Sequence, residues 1–151
     1  MPDRSINHST FTLERTYPAP PDRVFRAWAD PQAKARWFAG DPDRYELDFR
    51  PGGVERNSGE HGGKLITWEA HYHEIVPNER IVYTSVLAED GTVATVSLTA
   101  VELVPDGAGC GLVLVEHGAY LDDREQPAWR EQGTGDWLDA LGRHLAVGAP
   151  S

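Results

Sequence analysis

Two carboxylates stand out as side chains that could do chemistry. Glu116 ends the otherwise apolar run 112–115, and Glu55 follows the turn at 51–53 with one residue between. If both face one cavity, they could hydrogen-bond a ligand or share acid–base work on a small substrate. The alternative is that Glu55 lies on the solvent face and that Glu116 forms an ion pair with an arginine.

Two other reactive patterns are weaker. Glu69, His71 and His73 alternate on one predicted strand and so share a face. A metal site needs three or four ligands, and no further His or Cys cluster completes this set, so the pattern favours a solvent-facing polar strip. Cys110 lies in a glycine-rich turn without a recognisable base, which argues against a catalytic thiol. With no phosphate or dinucleotide motif present, we expect no metal and no cofactor, and a binding protein rather than an enzyme.

Composition narrows the class of protein. The 151 residues carry 14 Lys and Arg against 24 Asp and Glu, a net charge of −10, which disfavours nucleic acid and anionic membranes as partners. The single cysteine excludes an intrachain disulfide and fits a reducing compartment. The N-terminus lacks a signal-peptide core, and no apolar run approaches the ~20 residues of a membrane span. We therefore expect a cytoplasmic protein without membrane insertion.

Periodicity predicts the elements that must position these residues. Alternation predicts a first strand at 10–17, and proline–aspartate signals predict a helix from Pro21 and a second over 32–37 capped by Asp30. Six further strands are predicted at 45–50, 54–57, 65–76, 80–88, 93–104 and 111–120. This order gives one α+β domain over 10–147, with an antiparallel sheet of six to seven strands and loose termini at 1–9 and 148–151.

A long helix closes the chain. It is predicted over about 127–147, because glycine and proline follow it at 148 and 150. Its apolar stripe, spaced by threes and fours, is Thr134, Trp137, Leu138, Leu141 and Leu145. This stripe must pack on the sheet.

Six sequence blocks resemble one family. They are RVFRAW at 23–28, ARWF at 35–38, DFRPGGVE at 48–55, IVPNERIVY at 75–83, EHGAYLD at 116–122 and REQGTGDWLDALG at 130–142. On these blocks the chain resembles the START and Bet v 1-like (SRPBCC) superfamily, in the bacterial branch related to the activator of the Hsp90 ATPase. The resemblance implies a helix-grip fold, a curved antiparallel sheet wrapped on the C-terminal helix. It implies no single function, because this fold hosts many ligands.

A bent sheet on one helix leaves a gap, which is the natural place for a ligand. Alternation points the strand faces around Trp68, Tyr83 and Glu116 into that gap. Trp137 stands where relatives often carry Gly or Leu, so it should narrow the cavity. The predicted ligand-binding residues are Trp37, Phe38, Phe49, Glu55, Trp68, Tyr72, Tyr83, Glu116, Tyr120, Trp137, Leu138 and Leu141. Trp28 is expected in the core instead.

Three functions follow in order of preference. The first is binding of an apolar or aromatic small molecule in the cavity. The second is a cyclase- or dehydratase-like enzyme that uses cavity carboxylates. The third is a chaperone ATPase-activating module, ranked last because the eukaryotic activators carry an N-terminal domain that this sequence lacks. Exposed sheet edges also allow a homodimer.

Overall fold

The computed structural model describes residues 4–147, which form a seven-stranded antiparallel sheet and three α-helices. The elements are β1 (Ile6–Tyr17), α1 (Pro21–Ala29), α2 (Pro31–Phe38), β2 (Tyr45–Leu47), β3 (Val54–His61), β4 (Lys64–Val76), β5 (Arg80–Glu89), β6 (Thr92–Asp106), β7 (Gly109–Leu121) and α3 (Pro127–Val147). The strand order in the sheet is β1-β7-β6-β5-β4-β3-β2. The predicted α+β helix-grip fold is confirmed.

The first strand is longer than we predicted. It begins at Ile6 rather than Thr10, because His8 and Ser9 pair with Ala119 and Gly118 of β7. Residues 6–9, which we expected to be loose, therefore belong to the sheet. Arg4 and Ser5, which were also predicted to be loose, precede the strand, and residues 1–3 and 148–151 lie outside the described part of the chain.

The two short helices follow their sequence signals. α1 begins at Pro21 with Asp22 in its first turn, where an acidic side chain suits the helix dipole. α2 begins at Pro31, and the Asp30 carboxylate accepts a hydrogen bond from the Gln32 amide at 3.0 Å. The predicted helices and the predicted cap are confirmed.

The turn predicted at 51–53 is present, but the predicted ends of β2 and β3 are wrong. β2 ends at Leu47, because the segment after it folds into a tight turn in which the Gly53 amide donates to the Arg50 carbonyl at 2.7 Å. β3 was predicted to end at residue 57 but continues to His61, where its residues pair with β4, so the connection between the two strands is only Gly62 and Gly63. These glycines have positive φ angles of 59° and 79°. Glycine adopts such angles readily, which allows a hairpin connection of only two residues.

Two irregularities help to bend the sheet. The register of β4 on β5 shifts between Tyr72 and Glu74, which leaves His73 as the extra residue of a bulge. The pairing of β5 with β6 shifts after Leu87, which leaves Ala94 unpaired in the same way. Bulges increase local bending and twist, and the resulting curved sheet faces α3 with its apolar side.

The helix α3 has the predicted bounds and packs on the sheet through its stripe. Leu138, Leu141 and Leu145 are at most 3 % exposed. Two contacts from β1 fix its position: the Tyr17 hydroxyl donates to the Leu138 carbonyl at 2.8 Å, and Arg15 pairs with Asp139 at 2.9 Å. Within residues 4–147, no helix is both long and apolar enough to cross a membrane.

The tight turn before β3 predicts a large effect for one methyl group. A Cβ at Gly53 would lie 2.0 Å from the Asp48 carbonyl oxygen and 2.9 Å from that of Arg50. Because backbone atoms cannot swing aside, we expect Gly53→Ala to lower the free energy of unfolding by about 2 kcal/mol or more in urea denaturation.

Gly59→Ala is the matched control for this prediction. Gly59 lies in β3, and an added Cβ there meets nothing within 4 Å. We expect its stability to stay within about 0.5 kcal/mol of the parent. Equal stability of the two variants would contradict the proposed clash.

Candidate ligand-binding pocket

A pocket of about 620 Å³ lies between the sheet and the first half of α3, and it is partly open to solvent. All five tryptophans of the chain line it: Trp28, Trp37, Trp68, Trp129 and Trp137. Three of them are at most 8 % exposed, whereas Trp129 and Trp137 are 65 % and 37 % exposed. The pocket therefore has a buried aromatic wall and two accessible indoles on α3.

Phe38, at the end of α2, is the centre of the aromatic wall. Its ring centroid lies 5.1 Å from that of Trp68 and 4.5 Å from that of Trp137, with tilted rings. The ring of Tyr83 in turn meets Trp68 edge-on at 6.3 Å. Tilted and edge-on pairs are favourable aromatic geometries. Trp137 thus joins α3 to α2 beside the pocket instead of packing on the sheet.

Seven of the twelve predicted ligand-binding residues line this pocket: Trp37, Phe38, Trp68, Tyr83, Glu116, Trp137 and Leu138. The other five do not line it, and their placement corrects our assignment: Phe49, Glu55, Tyr72, Tyr120 and Leu141. Phe49 packs against Tyr72 at 5.1 Å, and Leu141 is fully buried further along α3. Alternation identified an inward face but could not show how far along it the gap extends.

The polar part of the pocket centres on Arg130, in the first turn of α3. This side chain is 8 % exposed and donates from Nε to Glu116 at 2.6 Å and from Nη1 to Glu125 at 2.9 Å. Its Nη2 donates to the Ser97 hydroxyl at 3.0 Å. Burial alone would lower the pKa of Arg130, but the two carboxylates outweigh it and raise that pKa. Arg130 is therefore a fixed cation.

Threonines also donate hydrogen bonds to the two carboxylates. Thr99 donates to Oε1 of Glu116 at 2.7 Å, and Thr95 donates to Oε1 of Glu125 at 2.6 Å. Glu116 therefore faces the pocket, as the ligand-binding hypothesis required. It also forms an ion pair with an arginine, as the alternative hypothesis required. Two carboxylates surround one guanidinium, which leaves this cluster with one excess negative charge.

Glu55 belongs to a second buried cluster behind the aromatic wall. It is fully buried rather than solvent-facing, and Lys34 donates to it at 2.8 Å. Tyr45 donates to its other oxygen at 2.5 Å, and Tyr72 donates to the oxygen that Lys34 contacts. Burial lowers the pKa of Lys34, and the Glu55 carboxylate opposes that effect. This ion pair anchors α2 to β3 and does not reach the pocket.

Sequence reasoning missed several pocket residues. Glu125 lies in the connection between β7 and α3, and Trp129 lies next to it in the first turn of α3. Hydrophobic periodicity does not identify residues in such a connection. Arg130 had a usable signal, because it stands four residues before Thr134 on the apolar stripe of α3. Trp28, which we expected to be core, is 2 % exposed and yet lines the pocket.

The residues considered for metal binding or thiol chemistry lie outside the pocket. Glu69 and His71 are on the exposed face of β4, where Glu69 pairs with Arg56 at 2.8 Å and with His71 at 3.0 Å. His73 hydrogen-bonds Thr84 at 2.8 Å. Among the described residues no group of three or more His, Cys, Asp or Glu could hold a metal ion. Cys110 is fully buried, and this burial raises the pKa of its thiol, which disfavours the reactive thiolate.

Comparison with known proteins places the chain in a family. The sequence model of the activator of Hsp90 ATPase homolog 1-like proteins matches residues 18–146, and the chain belongs to that family. The resemblance seen in the sequence blocks is thereby confirmed. No curated protein matches the chain closely enough to add a relative of known role.

Solved structures of bacterial proteins share the fold. An uncharacterised protein from Rhizobium leguminosarum is 41 % identical over 96 % of this chain and 99 % of its own, with a TM-score of 0.91. Mll3558 from Rhizobium loti is 43 % identical over 93 % and 99 %, with a TM-score of 0.88. CV1439 from Chromobacterium violaceum is 30 % identical over 94 % and 98 %, with a TM-score of 0.76.

The Lys34–Glu55 pair predicts a strong dependence on both partners. Lys34→Met would leave a buried carboxylate without its cation, so we expect the free energy of unfolding to fall by about 3–5 kcal/mol. Adding Glu55→Gln should recover part of that loss, because the uncompensated charge disappears. Chemical denaturation of the two single variants and the double variant measures this coupling.

The exposed pair of Arg80 with Glu74, at 2.6 Å, supplies the control. Both side chains are about half exposed, so Arg80→Met should change stability little. A Lys34→Met variant as stable as Arg80→Met would contradict the assigned role of the buried pair.

The tyrosines predict how the protein responds to alkali. Burial raises the pKa of all five above the ordinary value of 10.0, and the Glu55 carboxylate raises that of Tyr45 and Tyr72 further. Above pH 10.0 the folded protein therefore holds more protons than the unfolded chain, so stability falls as the pH rises. The lowered pKa of Lys34 acts in the opposite direction, but only below its ordinary 10.5.

Tyrosinate absorbance and circular dichroism, followed together during an alkaline titration, test this expectation. We expect tyrosinate to appear only as the native signal is lost, in one transition. Ionisation of most tyrosines near pH 10 in a protein that keeps its native signal would contradict it.

Proposed function

We propose that this protein binds a small molecule with an apolar or aromatic body in the pocket between the sheet and α3. The observation that carries the proposal is the gathering of every tryptophan of the chain around one space of about 620 Å³. Ligand pockets commonly measure about 300–1,000 Å³ and combine apolar walls with a few placed polar groups.

The accessible indoles give the proposal further support. Trp129 is 65 % exposed and Trp137 is 37 % exposed, although both are large apolar side chains. Exposed aromatic surface that adjoins a pocket commonly marks a binding site, because a ligand would remove it from water. The fixed Arg130, Glu116 and Glu125 cluster would orient a polar part of that ligand.

The pair of carboxylates that the sequence suggested for catalysis does not meet in the pocket. Acid–base work needs two titratable groups that are free to exchange protons with one substrate. Glu116 already accepts hydrogen bonds on both oxygens, and Glu55 lies outside the pocket, so this pair does not support a catalytic role. The chaperone-directed activity in the family's name stays a separate prediction, on which the pocket has no bearing.

A variant that fills the pocket tests the proposal. Gly133 lines the pocket from α3, and a Cβ added there meets nothing within 4 Å. We expect Gly133→Phe to place its ring in the pocket and to remove ligand binding while the protein stays folded. The measurement is a thermal-shift and tryptophan-fluorescence screen with neutral aromatic and aliphatic compounds.

Gly133→Ala is the matched control for the screen. It replaces a helix-interior glycine and should raise stability by about 1 kcal/mol without filling the pocket. Compounds that stabilise the parent should therefore stabilise Gly133→Ala and not Gly133→Phe. The proposal is wrong if no compound in a broad panel shifts the melting temperature, or if Gly133→Phe binds as well as the parent.

A further inference from the structure

We propose that the pocket selects a cationic ligand, namely an amine or quaternary ammonium group carried on an aromatic or aliphatic body. This inference rests on the proposed function and adds the charge of the ligand. It follows from three features of the pocket, which are its charge balance, an acceptor atom that is not used internally, and the faces of its aromatic rings.

The charges that line the pocket are unequal. Glu60, Glu116 and Glu125 supply three carboxylates, and Arg130 supplies the only Lys or Arg side chain among the lining residues. The guanidinium is 8 % exposed, and its Nε, Nη1 and Nη2 atoms already donate to Glu116, Glu125 and Ser97. A bound carboxylate would have to compete with these internal acceptors, whereas a cation would meet excess negative charge.

Glu125 provides an acceptor for that cation. Both of its hydrogen bonds, from Thr95 at 2.6 Å and from Arg130 at 2.9 Å, end on Oε1. Within residues 4–147, Oε2 accepts no hydrogen bond, and the Glu125 side chain is 17 % exposed. An ammonium group placed in the pocket could therefore be contacted by Oε2 without breaking the internal network.

The aromatic wall favours the same charge. Faces of tryptophan, tyrosine and phenylalanine attract cations within about 6 Å, most strongly where water is excluded. On the side away from the pocket, rings of this wall already contact a cation. The Lys34 ammonium lies 4.6 Å from the Phe38 ring centroid and 5.0 Å from that of Trp28. Glu55, 2.8 Å from Lys34, neutralises that cation and so limits its repulsion of a second one.

The field of the whole protein acts in the same direction. A net charge of −10 raises the local concentration of cations and lowers that of anions around the molecule. Apolar walls alone would accept a neutral molecule of the same shape. The lining charges are what should distinguish the cation from its neutral and anionic analogues.

Three compounds with one ring system test the charge preference: naphthylmethanol, naphthylmethyl-trimethylammonium and naphthoate. In calorimetric titration of the parent protein, we expect the ammonium compound to bind about tenfold or more tighter than the alcohol. Naphthoate should bind more weakly than the alcohol. The ammonium advantage should shrink as salt is added, because surface and rim charges are screened.

Two variants locate the effect. Glu125→Gln keeps Oε1 as an acceptor but removes the charge, so the ammonium compound should lose most of its affinity advantage over the alcohol. Glu131→Gln makes the same charge change on α3 outside the pocket lining and should retain the advantage. Circular dichroism checks that both variants are folded, and the three-compound comparison in the parent remains decisive if one is not.

The outcomes separate the two proposals. If none of the compounds binds and the broader panel also fails, the proposed function is wrong. If the alcohol binds as tightly as the ammonium compound, or naphthoate binds most tightly, only the charge preference is overturned. An ammonium advantage that Glu125→Gln leaves intact would overturn the assignment to Glu125.

Discussion

One buried guanidinium ties the start of α3 to three strands of the sheet. Arg130 leaves the first turn of the helix and contacts Ser85 on β5, Ser97 on β6 and Glu116 on β7. Buried ion pairs add little net stability, because desolvation offsets their attraction, but they are costly to break. This one therefore acts mainly on geometry. It fixes the start of the helix at a set height above three strands, and the pocket is the space that this height leaves.

A second buried pair applies the same physics to the other side of the pocket. Lys34 holds α2 on β3 through Glu55, as Arg130 holds α3 on β7. The aromatic wall lies between these two ionic anchors, and Phe38 meets Trp137 where α2 approaches α3. Each anchor places a charge next to rings that are otherwise surrounded by apolar groups. The wall is therefore held from both sides, and the excess negative charge that the proposed ligand class requires comes from the Arg130 cluster, because Lys34 and Glu55 neutralise each other.

The sequence predicts elements better than it predicts the contacts between them. The bounds of α3 and the inward faces of β4, β5 and β7 follow from the hydrophobic periodicity of each segment taken alone. Ion pairs join residues from different segments, so Glu55 could not be matched with Lys34, nor Glu116 with Arg130. A partial signal existed in both helices. Arg130 extends the stripe that continues with Thr134, and Lys34 shares a face with the aromatic end of α2. Charged residues on an apolar stripe are best interpreted as half of a buried pair.

Two features around the pocket lower the stability of the folded protein, and a chain without a pocket would not need them. Gly133 presents no side chain to the pocket, although an alanine there would strengthen the helix by about 1 kcal/mol. The indole N–H of Trp28 is buried without a hydrogen-bond partner among the described residues, which costs about 1–3 kcal/mol. Both features lie around the same space. Local sacrifices of stability of this kind are typical of binding sites, because the site must hold room for something other than the chain itself.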